Sequence, residues 1–137
     1  MNARTVMLWV FRVGGAVMIA NGTWMMLHAF NWFTTLPAGL ADTGHANGHF
    51  IRDVGLCYVI FGVALLWCCK NLMERRAVFL MCAAFMAGHA LGHVIEILTG
   101  ALPHSHWLID LPVVLLPGAL FAAFVPNASW RWLSANA

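Results

Sequence analysis

Long apolar runs separated by short polar connections dominate this chain of 137 residues. Each run approaches the roughly 20 consecutive apolar residues that a helix needs to cross a bilayer. Because the runs take up nearly the whole chain, we expect one domain over residues 1–137 and no soluble one beside it. The pattern predicts an all-α polytopic membrane protein, a bundle of four transmembrane helices at about 6–29, 51–69, 77–98 and 107–125.

Composition and charge placement support the bilayer and predict an orientation in it. The chain is 62% hydrophobic and only 9% charged, which is too apolar for a soluble domain of this size. The connections at 30–50 and 99–106 contain neither lysine nor arginine, so the positive-inside rule places them in the periplasm. The N- and C-termini and the connection between the second and third runs are then cytoplasmic, because they hold Arg4, Lys70, Arg75, Arg76 and Arg131.

This orientation predicts a multi-pass protein of the bacterial inner membrane, with the lipid bilayer as its first partner. The net charge of +2 is explained by the topology and gives no reason to expect nucleic acid.

All seven histidines fall on the predicted periplasmic side, together with three carboxylates near the outer ends of the runs. A charged side chain at the bilayer centre costs about 2.5–3.5 kcal/mol on insertion scales, so such groups face the bundle interior and are paired or ligated. These ten residues are His28, His45, His49, Asp53, His89, His93, Glu96, His104, His106 and Asp110.

Helical spacing places several of these side chains on common faces. His89, His93 and Glu96 fall within one narrow arc of the third helix. On the second helix, His49 and Asp53 stand four residues apart and share a face if the helix already runs at His49. We expect the two stripes to converge between neighbouring helices.

Imidazoles beside carboxylates predict a metal site that opens towards the periplasm. Two histidines at i, i+4 can chelate one ion, and a carboxylate completes a set with open positions for oxygen or substrate. The predicted ion is copper or iron, alone or as a dinuclear centre. The candidate ligands are His28, His45, His49, Asp53, His89, His93 and Glu96.

A metal with open positions favours redox chemistry of the oxidase type on a small or lipid-soluble substrate. Asp53 and Glu96 are the candidate catalytic carboxylates that would move protons.

Haem b in a quinone-linked electron-transfer protein is the main alternative. His89 or His93 would be one axial ligand and His28 or His49 the other, and Gly88 and Gly92 would leave room for the porphyrin. The same two glycines form a G-x-x-x-G pattern, which favours close helix packing without any cofactor.

Three further readings stay open. The polar residues can line a proton or ion pathway through His28, Asp53, Glu96 and Asp110. They can bind or transport a metal without catalysis. The chain can also be an accessory subunit that completes its site within a homo-oligomer or a larger membrane complex.

Three segments carry a resemblance to a known group. "FRVGGAVMIANG", "HFIRDVGLCYVIFGVALL" and "HALGHVIEI" are similar to small bacterial four-helix inner-membrane proteins, distantly those of the DoxX-like group. The resemblance covers the first three helices and implies a four-helix bundle linked to quinone or thiol redox chemistry. It transfers no catalytic residue to this chain.

Overall fold

A computed structural model describes residues 3–36 and 44–123, and over these residues the chain is helical without a strand. Three long helices, α1, α3 and α4, carry the bulk of it, and a fourth helical segment is assembled from shorter pieces. The elements are α1 (Ala3–Leu27), α2 (Ala29–Thr35), α3 (Gly48–Cys68), α4 (Arg76–Leu98), α5 (His106–Ile109), a π-helical turn (Leu111–Leu115) and α6 (Leu116–Ala123).

Three of these helices are long and apolar enough to cross a membrane. They are the stretches Thr5–Leu27, Gly48–Cys68 and Arg76–Leu98, which lie within a few residues of three predicted spans. The fourth predicted span, 107–125, extends beyond the described residues, and its described apolar helix, Leu111–Ala123, is shorter. The architecture is therefore compatible with a membrane-embedded protein.

Local chemistry explains where α3 begins. The side-chain oxygen of Asn47 accepts hydrogen bonds from the backbone N–H groups of His49 and Phe50, at 3.1 and 3.2 Å. These bonds satisfy two of the backbone donors that a helix N-terminus leaves without intrahelical partners. The helix therefore already runs at His49, as the shared face of His49 and Asp53 requires.

The fourth segment is interrupted where sequence analysis predicts one continuous helix. Pro112 has no N–H, so it cannot donate to the carbonyl one turn earlier. Next to this proline, the carbonyl of Asp110 accepts from both Val114 N and Leu115 N, at 2.8 and 2.9 Å. The wider π-helical turn between α5 and α6 follows from this shared acceptor.

Glycines bring α1 and α3 into backbone contact at two levels. A Cβ atom built on Gly55 would lie 2.8 Å from the carbonyl oxygen of Gly22, and one built on Gly62 would lie 2.7 Å from that of Gly15. The members of each helix are seven residues apart, which is about two turns. The two helices are antiparallel and touch along one side, and both contacts need a residue without a side chain.

Aromatic side chains and one further glycine attach α4 and α6 to this pair. Phe11 of α1 lies 4.9 Å from Phe79 and 5.3 Å from Phe121, measured between ring centroids. A Cβ atom on Gly118 would collide with the Cβ of Ala90, so α6 sits directly on α4. This close contact brings the beginning of the fourth segment beside the C-terminal half of α4.

Gly88 and Gly92 do not take part in such packing. A Cβ atom at either position would meet nothing within 4 Å in the described structure, and both residues are exposed. The close helix contacts therefore fall on other glycines than the predicted G-x-x-x-G pattern.

Substitution of the contact glycines should separate the helices. We expect Gly22→Ala and Gly62→Ala each to lower the free energy of unfolding by about 1–3 kcal/mol, because each new methyl group meets a backbone carbonyl that cannot move alone. Unfolding of the purified protein by dodecyl sulfate in mixed micelles, followed by circular dichroism, measures this loss.

Gly14→Ala and Gly92→Ala are the matched controls, since the added methyl group meets no atom within 4 Å. Removing a flexible glycine from a helix should leave these variants unchanged or more stable by about 0.5–1 kcal/mol. Equal losses in all four variants would contradict the packing described here.

Candidate functional site

A buried carboxylate joins two imidazoles at the junction of α4 with the fourth segment. Asp110 is 1% exposed, and its Oδ2 atom lies 2.8 Å from His93 Nδ1 and 3.1 Å from His106 Nδ1. An ionised carboxylate can only accept hydrogen bonds, so each imidazole donates to it through Nδ1–H. One oxygen atom therefore sets the tautomer of both histidines.

The chain positions this group by reversing direction over a short distance. After α4, Gly100 adopts a φ of +77°, a left-handed conformation that favours glycine. Leu102 N then donates to Glu96 O at 3.1 Å, which turns the backbone towards α5. His106 and Asp110 face the same way because they are four residues apart on this helical segment.

The irregular backbone after Asp110 holds the carboxylate in place. Its own N–H donates to His106 O at 2.9 Å, while its carbonyl accepts the two bonds that start the π-helical turn. Such turns occur frequently at functional sites in helices. Here the turn ends α5 at the buried residue.

His89 lies one turn before His93 on α4. The ring centroids of His89 and His93 are 4.8 Å apart and their planes meet at 75°. Tyr58 of α3 is perpendicular to His89, with a centroid distance of 6.0 Å, and Phe85 lies parallel to His89 at 6.5 Å. The rings of Tyr58 and Phe85 thus cover the side of His89 that faces α3.

We call Tyr58, His89, His93, His106 and Asp110 the histidine cluster. Several of its polar atoms have no hydrogen-bond partner within residues 3–36 and 44–123. They are both ring nitrogens of His89, Nε2 of His93 and the hydroxyl group of Tyr58. His89, His93 and Tyr58 are all partly buried, and in apolar surroundings a polar group without a partner is costly. Polar groups in this state are typical of places where a ligand, an ion or water binds.

The separation of His89 and His93 suits a shared metal ion. An ion about 2.0–2.1 Å from each Nε2 lies roughly 3.2 Å from each ring centre, so two adjacent ligands have centres about 4.5–5.2 Å apart. The observed 4.8 Å falls within this range. In the described part of the chain no group of three or more histidine, cysteine, aspartate or glutamate side chains is arranged to hold a metal.

The other predicted pair, His49 and Asp53, is found on the surface of α3. Their side chains approach to 3.4 Å, and they are 87% and 62% exposed. His49 and Asp53 lie on one face of α3, as predicted. No hydrogen bond or ion pair of the described residues connects either side chain to His89 or His93. Glu96, one turn beyond His93, is also exposed.

Three further histidines of the predicted periplasmic set are also at the surface. His28 lies at the junction of α1 and α2 and is exposed, as are His45 and His104. Asn21, which shares a seven-residue repeat with His28, accepts a hydrogen bond from Trp32 Nε1 at 2.8 Å. The structure therefore brings together two of the predicted ligands, His89 and His93, and leaves the others apart from them.

His106, Asp110 and Tyr58 are the members of the cluster that were not among the predicted ligands. In the sequence, the only sign of the pair His106 and Asp110 is its four-residue spacing, which ends two residues before Pro112. Tyr58 is the single tyrosine of the chain and lies in the middle of an apolar helix, where its spacing pairs it with no other polar residue.

No family model, curated protein or solved structure matches the chain. The resemblance to the DoxX-like group stays a prediction.

The two His-x-x-x-Asp segments, His49–Asp53 and His106–Asp110, provide a matched test of the buried network. We expect Asp110→Ala to destabilise the protein by about 1–3 kcal/mol for each imidazole donor that loses its acceptor. Asp53→Ala removes a carboxylate at the same i, i+4 spacing from an exposed site, and we expect a change within about 0.5 kcal/mol. Thermal unfolding in detergent compares the two variants, and similar losses would show that Asp110 is not a buried acceptor.

Proposed function

We propose that this protein is a metalloprotein of the bacterial inner membrane that binds copper or iron through His89 and His93 and uses the ion in redox chemistry. The observation that carries the proposal is the 2.8 Å contact between Asp110 and His93 Nδ1. A histidine that ligates a metal almost always donates its other ring N–H to a carboxylate, a carbonyl or water, which fixes the ring and raises its basicity.

The side chains around this contact have complementary tasks. Asp110 holds His93 with Nε2 free, and its negative charge offsets that of a cation in surroundings of low polarity. His106 gives Asp110 a second hydrogen bond and so restricts its rotation. Because His89 and His93 supply two ligands, an ion bound there keeps coordination positions for a small or lipid-soluble substrate.

Glu96 is the carboxylate that we assign to proton transfer at the mouth of this site. It follows His93 by three residues on the same helix and is exposed, so it can exchange protons with water at the membrane surface.

Haem b is the second candidate, and the open surface at Gly88 and Gly92 favours it. A Cβ atom at either glycine would meet nothing within 4 Å, which leaves a flat strip of α4 beside His89 and His93. A histidine held by a carboxylate also suits an axial haem ligand. We rank haem second because it would use one of the two histidines and leave the other without a partner.

Elemental analysis with an optical spectrum tests the ligands directly. We expect the wild-type protein, purified in mild detergent without chelators, to hold copper or iron in stoichiometric amount without a Soret band. His89→Ala and His93→Ala should abolish the bound metal, and Asp110→Asn should weaken binding by about 10–100-fold.

His49→Ala and His104→Ala are controls, because both side chains are exposed and no hydrogen bond or ion pair of the described residues joins them to His89 or His93. Full metal retention in both His89→Ala and His93→Ala would refute the assignment. A Soret band that disappears in either variant would identify haem instead.

We further propose that the end of the bundle that holds His89 and His93 faces the periplasm, and that the connection from Cys69 to Arg75 is cytoplasmic. Ser105→Cys and Met73→Cys place a thiol at exposed positions of the two opposite ends. On intact spheroplasts, a membrane-impermeant maleimide should label Ser105→Cys but not Met73→Cys, with the unaltered protein as the background control. The reverse labelling would overturn the orientation.

A further inference from the structure

Basic and tryptophan side chains gather at the end of the bundle opposite to the histidine cluster. We call this set, Trp9, Arg12, Trp67, Lys70 and Arg75, the basic face. The guanidinium group of Arg75 lies 4.1 Å from the ring centroid of Trp67 and also donates to the carbonyl oxygen of the same residue. Arg12 lies 5.3 Å from the ring centroid of Trp9, so the face holds two arginine–tryptophan pairs.

The antiparallel packing of α1 and α3 brings the two pairs to one level. With Gly15 against Gly62, the first turns of α1 lie beside the last turns of α3. Burial raises the pKa of the Cys69 thiol, which directly follows α3, and the charge of Arg12 partly offsets this rise. Lys70 follows directly and is exposed.

The two tryptophans leave much of their surface uncovered by the protein. Trp9 is 53% exposed and Trp67 is 45% exposed. Tryptophan concentrates at the boundary between headgroups and acyl chains, where its ring contacts lipid and its N–H contacts water. Their position therefore puts the neighbouring cations at the level of lipid headgroups.

The charge of this end is strongly unbalanced within the described residues. Arg12, Lys70, Arg75 and Arg76 are opposed there by one acid, Glu74, which is exposed. The other described carboxylates belong to the opposite half of the bundle. Arg75 donates to the carbonyl oxygen of Trp67 and is partly buried, whereas Arg12 and Lys70 are exposed, so we assign these two cations to a ligand.

We propose that the basic face binds the headgroup of an anionic phospholipid, with the phosphate between Arg12 and Lys70 and the acyl chains along Trp9 and Trp67. Clustered lysine and arginine on the cytoplasmic side of transmembrane helices attract anionic headgroups. Arginine adds hydrogen-bond donors in a geometry that matches phosphate oxygens. A soluble anion would use the cations alone, whereas a phospholipid would use both the cations and the exposed tryptophan rings beside them, so the combination favours a lipid.

Binding of defined lipids to the full chain tests this site. The protein in a neutral detergent is titrated with phosphatidylglycerol or phosphatidylcholine, and bound lipid is counted by native mass spectrometry while the melting temperature is recorded. We expect phosphatidylglycerol to bind selectively and to raise the melting temperature. In the Arg12→Gln, Lys70→Gln double variant its affinity should fall about 30-fold, since each cation near an anionic surface contributes about fivefold.

Two further variants separate the site from general charge effects. Arg52→Gln removes an exposed cation from the opposite end of α3, and its affinity should equal that of the wild type. The charge-conserving Arg12→Lys, Lys70→Arg variant should retain most of the binding, which a purely structural role of these residues does not predict.

Three outcomes would overturn the proposal. They are equal binding of phosphatidylcholine, an equal loss in Arg52→Gln, and stabilisation by inorganic phosphate as strong as that by phosphatidylglycerol. The last result would identify a soluble anion site. None of these outcomes depends on whether a metal is present, so the lipid site and the proposed function fail independently.

Discussion

A carboxylate buried in an apolar helix bundle must find partners within the protein, and Asp110 does so with two imidazoles. Its single Oδ2 atom accepts from His93 and His106, which ties α4 to the fourth helical segment at one point. Removing such a charge from water is unfavourable unless its hydrogen bonds are satisfied. The orientation of both histidines, the interruption of the fourth segment and the position of the neighbouring His89 are all consistent with this requirement.

Glycines far from Asp110 position the helices that carry this network. The contacts of Gly22 with Gly55 and of Gly15 with Gly62 keep the backbones of α1 and α3 in contact. Gly118 allows α6 to pack directly on Ala90 of α4. Helix association in lipid depends on such close packing, because burying apolar side chains away from lipid tails brings little gain. With α6 fixed on α4, the residue that precedes the π-helical turn has to lie beside His93.

The sequence predicts the helices better than it predicts the site. Three apolar runs are confirmed as helices of spanning length, and the spacing of His89 and His93 correctly indicates one face. The same reasoning could not find the partnership of Asp110 with His93, because it joins residues seventeen positions apart and depends on how two helices meet. Nor does a G-x-x-x-G pattern reveal whether its face is covered, so Gly88 and Gly92 resembled a packing motif although no described neighbour approaches them.

The chain contains the pattern His-x-x-x-Asp twice, and the contrast between the copies shows why environment decides chemistry. His49 and Asp53 stand in the open, 3.4 Å apart, where water can replace either partner and the ion pair contributes little. His106 and Asp110 have the same spacing but are each 1% exposed, so their hydrogen bond is retained and a third residue, His93, is drawn into it. His93, held through Nδ1 in this way, keeps Nε2 available, which is the state that metal ligation requires. The buried copy, rather than the exposed one, is therefore where the function of this protein should be sought.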